Sequence, residues 1–221
     1  MTRVLLSWSS GKDSAWALHL LRRMDSIEVA GLVTTFNSAA NRVAMHAVRR
    51  ELAEAQAERV RLPLWPVELP WPCSNAEYER RMGAVVERAK AEGIEAIAFG
   101  DLFLEDIRAY RIKQLQGTGI EPLFPVWGIP TSQLAREMIA AGARAKLTCV
   151  DPAKLDRSFA GREYDQRLLE DLPAAVDPCG ENGEFHTFVY DGPAFSRPIR
   201  VRAGGRVERD GFVFSDLASD E

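Results

Sequence analysis

The chain has 221 residues, of which 46% are hydrophobic and 27% are charged. This composition is typical of a folded globular protein and excludes a disordered, collagen-like or coiled-coil chain. Its 28 Lys and Arg residues against 32 Asp and Glu residues give a net charge of −4, which argues against a sequence-independent nucleic-acid-binding protein.

Strand and helix patterns alternate through the first half of the chain. Short apolar runs bounded by turn residues predict strands at 4–8, 27–35, 64–69 and 94–99. Helical spacing of apolar residues, or high helix propensity, predicts helices at 15–24, 44–60 and 77–92. The alternation predicts an α/β fold, with an open parallel sheet and helices on both of its faces.

The pattern changes after about residue 120, where Pro122, Pro125 and Pro130 make a stiff connection. The remaining sequence predicts a helix, three strands and a hairpin turn, at 132–141, 145–150, 188–190, 199–202 and 209–211. We therefore expect two domains, at 1–125 and 126–221, of which the second is a smaller α+β domain.

The three cysteines are widely spaced and form no CxxC pair. This argues against a disulfide framework or a structural zinc site and favours a reducing compartment. No apolar run approaches the roughly 18 residues of a membrane span, and charged residues interrupt the N-terminal apolar run before it resembles a signal peptide. We expect a cytoplasmic protein that has no membrane partner and that could form a homo-oligomer.

The loop between the first predicted strand and helix reads Ser9-Ser10-Gly11-Lys12-Asp13-Ser14. It lies at the carboxyl ends of the strands, where open parallel sheets bind ligands. Its small residues let backbone N–H groups converge on an anion, and the helix dipole and Lys12 add positive charge. Leu6 and Asp13 stand where a Walker A loop needs Gly and Ser or Thr, and no GxGxxG follows. From the residues alone, a capped helix start explains the loop equally well.

Further polar residues follow the fourth predicted strand. Gly100 and Asp101 end that strand on the same sheet edge, where Asp101 could orient a ribose hydroxyl, a substrate group or a metal ion, or cap the next helix. Glu105, Arg108 and Arg111 have helical spacing, which is typical of solvated ion pairs. Less often, such an arginine clamps a phosphate or a carboxylate.

His46 follows the second predicted strand, so it lies on the edge where adenine or phosphate would bind. A lone histidine is by default structural or solvated.

Two glutamates, Glu181 and Glu184, lie in a loop that also holds Asn182 and two glycines. Such carboxylates could hold an ammonium ion, deprotonate it or carry Mg²⁺. Without further information, a solvated acidic turn is the favoured interpretation. Cys179 and His186, taken with the two glutamates, match no standard zinc spacing, so a transition-metal cluster is disfavoured.

Three segments resemble a known family. Ser9–Ser14 resembles the PP-loop, SGGxDS, of the ATP pyrophosphatase superfamily, with Ser10 where the pattern has Gly. If that position needs a positive φ, Ser is mildly strained there. Phe99–Arg111 and Asp177–Thr187 resemble segments of the diphthine–ammonia ligase-like branch, in the same chain order.

The resemblance implies an adenine nucleotide alpha hydrolase-like fold. The domain at 1–125 would bind ATP, and the domain at 126–221 would bind the substrate. The implied enzyme is an ATP-dependent ligase that adenylates a carboxylate, transfers it to ammonia or an amine, and releases AMP and pyrophosphate. The carboxylate could belong to a small molecule or to a protein side chain.

The resemblance also assigns roles to residues. The expected catalytic residues are Lys12, Asp13, Glu181 and Glu184. ATP is expected to contact Ser9, Ser10, Gly11, Lys12, Asp13, Ser14, His46, Gly100 and Asp101. The expected substrate-binding residues are Glu105, Arg108, Arg111, Asn182 and His186. Mg²⁺ is expected with ATP, and Asp13 is its candidate ligand.

Three alternatives stay open at this point. The same loop serves enzymes that transfer sulfur to tRNA, although the acidity of the chain and its lack of paired cysteines weigh against this. A non-catalytic nucleotide sensor would bind ATP without releasing pyrophosphate. An ATP α-hydrolase would act without an acceptor.

Overall fold

The computed structural model describes residues 1–220. Its first part holds six strands and four helices: β1 (Thr2–Ser7), α1 (Lys12–Leu21), β2 (Ile27–Asn37), β3 (Arg42–Val43), α2 (Arg50–Val60), β4 (Leu64–Leu69), α3 (Asn75–Ala91), β5 (Ala96–Ala98), α4 (Glu105–Leu115) and β6 (Glu121–Leu123). The second part holds α5 (Thr131–Ala140), β7 (Arg144–Val150), a 3₁₀ turn (Arg157–Phe159), α6 (Gln166–Asp171), β8 (Phe185–Asp191), β9 (Val201–Arg209) and β10 (Phe212–Ser219).

The first sheet is parallel apart from one short strand. Strand β1 lies between β2 and β5, β4 pairs with β2, and β6 pairs with β5, all in parallel. Strand β3 pairs antiparallel with the end of β2. The predicted parallel sheet is therefore confirmed, and β3 is an antiparallel addition that the pattern did not predict.

Helices cover both faces of this sheet. Val4 and Leu6 of β1 belong to one apolar cluster, and Leu5 belongs to another, because side chains alternate along a strand. The cluster around Leu6 contains Leu18 of α1, and the cluster around Leu5 contains Val86 of α3. Burial on both faces explains why β1 is a continuous apolar run.

The second sheet is antiparallel, in the order β8-β7-β10-β9. Its residues Leu147 and Phe185 share one core cluster with Leu6 and Leu18 of the first part. The second sheet thus packs on the first through apolar side chains. The domain boundary at residue 125 stays a prediction.

The prediction of a helix at 44–60 was wrong over its first six residues. Helix α2 begins at Arg50, and Met45 and Ala47 have φ values of 63° and 55°, which no α-helix contains. The Val43 amide donates to the Val48 carbonyl at 2.8 Å and closes a turn here. This turn carries His46 toward the loop that follows β1.

Within residues 1–220, no helix combines the length and the apolar character that a membrane crossing requires.

Candidate active site

The loop between β1 and α1 is held in one conformation by contacts with both parts of the chain. Ser10 has a φ of 70°, so the predicted strain at this position is confirmed. The Ser10 carbonyl accepts hydrogen bonds from the Val189 amide at 3.0 Å and from Gln56 Nε2 at 3.0 Å. Within the loop, the hydroxyls of Ser9 and Ser14 share a hydrogen bond of 3.2 Å. Strand β8 therefore supports the conformation of the proposed phosphate loop.

Lys12 is only 3% exposed, although it carries a charge. Its Nζ lies 3.0 and 2.9 Å from the two carboxylate oxygens of Asp13 and also donates to the carbonyl of Cys179. Burial alone would lower the pKa of Lys12, but Asp13, with smaller contributions from Cys179 and Glu181, raises it above its usual value. Lys12 is therefore a protonated cation at neutral pH.

Asp13 forms the other half of this ion pair. Burial raises the pKa of its carboxyl, and the neighbouring Lys12 ammonium offsets part of that rise. Its side chain keeps 24% of its surface exposed.

A cavity of about 220 Å³, here called the phosphate pocket, lies beside this loop. Its walls come from the β1–α1 loop, the end of β5 and the loop before β8. They include Ser9, Lys12, Asp13, Ser14, His46, Gly100, Asp101, Arg111, Glu181 and His186. The structure thus brings ten of the predicted site residues to one cavity. Ser10 and Gly11 are part of the same loop but are not among the residues that line the cavity.

Gly100 lies close to the loop backbone. A Cβ atom at this position would be 3.0 Å from the Ser14 amide nitrogen and 3.1 Å from the Asp13 carbonyl carbon. Glycine therefore permits the close approach of β5 to the start of α1.

A larger cavity of about 700 Å³, here called the apolar groove, adjoins the phosphate pocket. The two share Ser7, Ser9, His46, Phe99, Arg111 and His186. Tyr78, Met82 and Val86 of α3 line the groove. The sequence did not identify these three residues as part of a site, because apolar residues four apart on a helix indicate a core face as readily as a binding surface.

Glu181 is the loop glutamate that faces the phosphate pocket. Its Oε1 accepts a hydrogen bond of 2.8 Å from the Leu102 amide. Burial raises the pKa of Glu181 to about 7, although the Leu102 amide favours the charged form. A carboxyl group with this pKa can exchange a proton near neutral pH, which suits a general base.

Glu184 has a different environment and does not line the phosphate pocket. It is 3% exposed, and its Oε1 accepts hydrogen bonds from the Asp177 amide at 3.0 Å and from Asn182 Nδ2 at 3.2 Å. The structure therefore makes Glu184 an internal brace of the loop. Asn182 is exposed and lies outside the pocket as well.

Two histidines meet at the junction of the pocket and the groove. Their ring centroids are 4.6 Å apart, and His46 Nδ1 lies 3.2 Å from the Thr187 carbonyl oxygen. Burial, and then the neighbouring His186, lowers the pKa of His46 to about 3. Burial, and then Lys12, lowers the pKa of His186 to about 4. Both imidazoles are therefore neutral at neutral pH.

The two predicted arginines of α4 have different roles. Arg111 Nε lies 3.4 Å from Asp101 Oδ2, and both residues line the phosphate pocket. The Arg108 guanidinium lies 4.7 Å from the centre of the Trp127 ring, outside the pocket. Glu105 has 78% of its side chain exposed and is 3.9 Å from Arg108. The structure thus does not bring Glu105 or Arg108 to the site.

The donor set fits a resident metal ion poorly. Within residues 1–220, no three His, Cys, Asp or Glu side chains are grouped as metal ligands. Both carboxylate oxygens of Asp13 are bound by Lys12, so an ion at Asp13 would compete with that ammonium group for the same oxygens.

A strand, a loop of small residues and a helix at the edge of a parallel sheet form the arrangement that is typical of α/β proteins with a PP-loop. Residues 2–119 match the family model of the diphthamide synthase N-terminal domain, and residues 130–215 match that of the diphthamide synthase C-terminal domain. The chain belongs to the diphthamide synthase family, as its resemblance to the diphthine–ammonia ligase-like branch implied.

Curated relatives carry the name diphthine–ammonia ligase. The proteins from Homo sapiens and Mus musculus are 30% and 31% identical over 152 residues, which is 66% of this chain and 57% of each relative. The protein from Schizosaccharomyces pombe is 28% identical over 111 residues, which is 48% of this chain and 18% of that relative. The matches thus span little more than half the length of the mammalian relatives.

Proposed function

We propose that the protein is an ATP-dependent carbon–nitrogen ligase. It would adenylate a carboxylate, transfer the acyl group to ammonia or an amine, and release AMP and pyrophosphate. The observation that carries the proposal is the phosphate pocket, where the PP-loop, the Lys12 cation and a carboxyl group of pKa about 7 face one cavity. The name shared by the relatives supports ammonia as the amine and diphthine as the first acceptor to test.

The two adjoining cavities suit the two ends of ATP. The β- and γ-phosphates would occupy the phosphate pocket, and the adenosine would lie along the apolar groove. The α-phosphate would then sit at their junction, near His46 and His186. The two neutral imidazoles can form hydrogen bonds there without adding charge.

In the first step, a carboxylate oxygen of the acceptor attacks the α-phosphorus, and the bond to pyrophosphate breaks. Negative charge grows on the leaving pyrophosphate, where Lys12 and the amides at the start of α1 would stabilise it. Lys12 is already positioned by Asp13 and the Cys179 carbonyl, so little reorganisation is needed.

In the second step, ammonia attacks the acyl carbon, the amide bond forms, and AMP leaves. The attacking nitrogen must lose a proton. We assign that proton to Glu181, because its carboxyl lines the pocket and its pKa lies near 7. Glu184 would act indirectly, by holding the loop that carries Glu181.

Mg²⁺ would arrive with the phosphates of ATP. Asp13, its one candidate ligand on the protein, is engaged by Lys12 through both carboxylate oxygens.

The function is tested by incubating the protein with ATP, Mg²⁺, ammonium and a panel of carboxylic acids that includes diphthine. Formation of AMP and pyrophosphate that depends on both acid and ammonium supports the ligase. ADP and orthophosphate as the main products would reject it. AMP formation that is independent of the acid indicates an ATP α-hydrolase, and ATP binding without turnover indicates a sensor.

A further inference from the structure

A third cavity, of about 520 Å³, lies between the first sheet and the β9–β10 hairpin. We call it the hairpin cavity. Its walls include Met45, Leu69, Trp71, Cys149, Phe212 and Phe214. Trp71 and Met45 are 68% and 71% exposed, which is unusual for side chains of this size. A cavity of this volume with mostly apolar walls has the dimensions of a small-molecule site.

The hairpin cavity meets the phosphate pocket at a single side chain, and it borders the apolar groove along Val43, Ala44, Met45 and Leu69. Among residues 1–220, His186 is the one residue that lines both the hairpin cavity and the phosphate pocket. A ligand in the hairpin cavity can therefore reach His186, beside the place proposed for the α-phosphate, without entering the phosphate pocket. This is the position that an acceptor must reach.

The charged side chains in the cavity walls already have partners. Arg42 Nη1 donates to the Ala47 carbonyl and to Asp216 Oδ1, both at 2.8 Å. Arg209 lies 3.5 Å from Asp210. Burial raises the pKa of the Cys149 thiol to about 12, so it is neutral as well. These walls suit an apolar body better than a polar or multiply charged one.

The imidazole of His186 has no hydrogen-bond partner among the residues that the structure describes. Its ring contacts His46 at 4.6 Å between centroids, so its nitrogens are free for a ligand. A neutral imidazole can donate one hydrogen bond to a carboxylate.

We propose that the hairpin cavity binds the acceptor, and that the acceptor is a small carboxylic acid with an apolar body whose carboxylate lies at His186. The inference rests on the proposed ligase function, which requires an acceptor beside the α-phosphate. In this arrangement, the acid lies between the β9–β10 hairpin and the edge of the first sheet, next to the proposed ATP site.

The probes are straight-chain alkanoates from butyrate to decanoate and 4-phenylbutyrate, with the matching primary amides as controls. Isothermal titration calorimetry should show a Kd that falls about fourfold for each added methylene group. The acids should bind about tenfold or more tightly than the amides, because the amides lack the charge that His186 would bind. Equal affinities of the acids and the amides, or an affinity that does not increase with chain length, would overturn the proposal.

Three kinds of variant locate the binding site. Ala40→Trp and Ala39→Trp place bulk in the hairpin cavity from a partly exposed turn, so they should weaken acid binding tenfold or more and leave ATP affinity unchanged. Met82→Trp fills the apolar groove instead and should weaken ATP binding only. His186→Phe keeps a ring and should abolish the preference for acid over amide. Unchanged acid binding in both Ala39→Trp and Ala40→Trp would show that the acids bind elsewhere and would refute the proposed site.

The proposed function and the acceptor site can fail separately. If acids bind as expected but no AMP forms, the ligase function fails and the binding site stands. If AMP and pyrophosphate form with an acid and the filled variants turn it over like the wild type, the site fails and the function stands.

Discussion

Replacement of Lys12 by Met tests the proposed phosphate loop and its attachment to the second sheet together. Lys12 is buried, pairs with Asp13 and donates to the Cys179 carbonyl. Met has a similar length but no charge, so Lys12→Met leaves a partly buried carboxylate and a carbonyl without their cation. Two effects follow, one on folding and one on ATP binding.

The effect on folding can be given a magnitude. Loss of one partner of a buried ion pair costs about 3–5 kcal/mol. We expect the lower value, about 3 kcal/mol, because the Asp13 side chain keeps 24% exposure. For a chain of this length, this lowers Tm by about 6–12 °C. The double variant Lys12→Met/Asp13→Asn removes the uncompensated charge and should return to within about 1.5 kcal/mol of the wild type.

The effect on ATP follows from the lost charge-assisted hydrogen bond. A bond of this kind contributes about 1.5–3 kcal/mol, so the Kd for ATP should rise about tenfold to a hundredfold.

Urea denaturation and calorimetric titration of ATP measure the two effects. Lys90→Met is the matched control, because Lys90 is 45% exposed and Glu87 is its one ion-pair partner within residues 1–220, and it should change stability by less than about 0.5 kcal/mol. A Lys12→Met protein as stable as this control, with unchanged ATP affinity, would refute both roles assigned to Lys12.

Three further substitutions give distinct outcomes. Glu181→Gln should slow amide formation about a hundredfold or more and remove its pH dependence; in the wild type, the rate at constant free ammonia should rise with pH through about 7, as the carboxylate forms. Ser10→Gly should raise stability by about 1 kcal/mol in thermal denaturation, because it relieves a φ of 70° and removes a buried hydroxyl without a partner in the described chain. Gly180→Ala should cost about 3 kcal/mol in urea denaturation, because its Cβ would lie 2.8 Å from the Phe185 carbonyl oxygen. The control Gly117→Ala has a similar φ of 75° with open space around it and should cost about 1 kcal/mol. An unchanged rate in Glu181→Gln or an unchanged stability in Ser10→Gly would contradict the role given to that residue. Equal stabilities of Gly180→Ala and Gly117→Ala would contradict the steric conflict at Gly180.

Local sequence signals predicted the elements whose pattern is strong. The strand predicted at 64–69 has the bounds of β4, and the hairpin predicted at 209–211 joins β9 to β10. The short strands β3 and β6 escaped prediction, because two or three residues carry no periodicity. The segment 44–49 has good helix propensity, but tertiary contacts hold it in a turn with His46 near the PP-loop.

Local sequence patterns also could not predict which side chains of the site face the cavity. Sequence reasoning assigned Glu181 and Glu184 to one role, because both lie in one glycine-containing loop. Only the packing shows that Glu184 is enclosed by loop amides while Glu181 faces the pocket. Arg108 and Arg111 likewise differ by three positions on one helix and both lie over aromatic rings, yet Arg111 lines the phosphate pocket and Arg108 does not.

In the proposed reaction, a carboxylate oxygen of the acceptor attacks the α-phosphate of ATP. The most direct measurement uses an acceptor acid labelled with ¹⁸O in its carboxylate and mass spectrometry of the AMP formed with ammonium. We expect AMP to carry one ¹⁸O atom, because the oxygen that attacks phosphorus stays on it when the amide forms. AMP that takes ¹⁸O only from labelled water would contradict attack by the carboxylate.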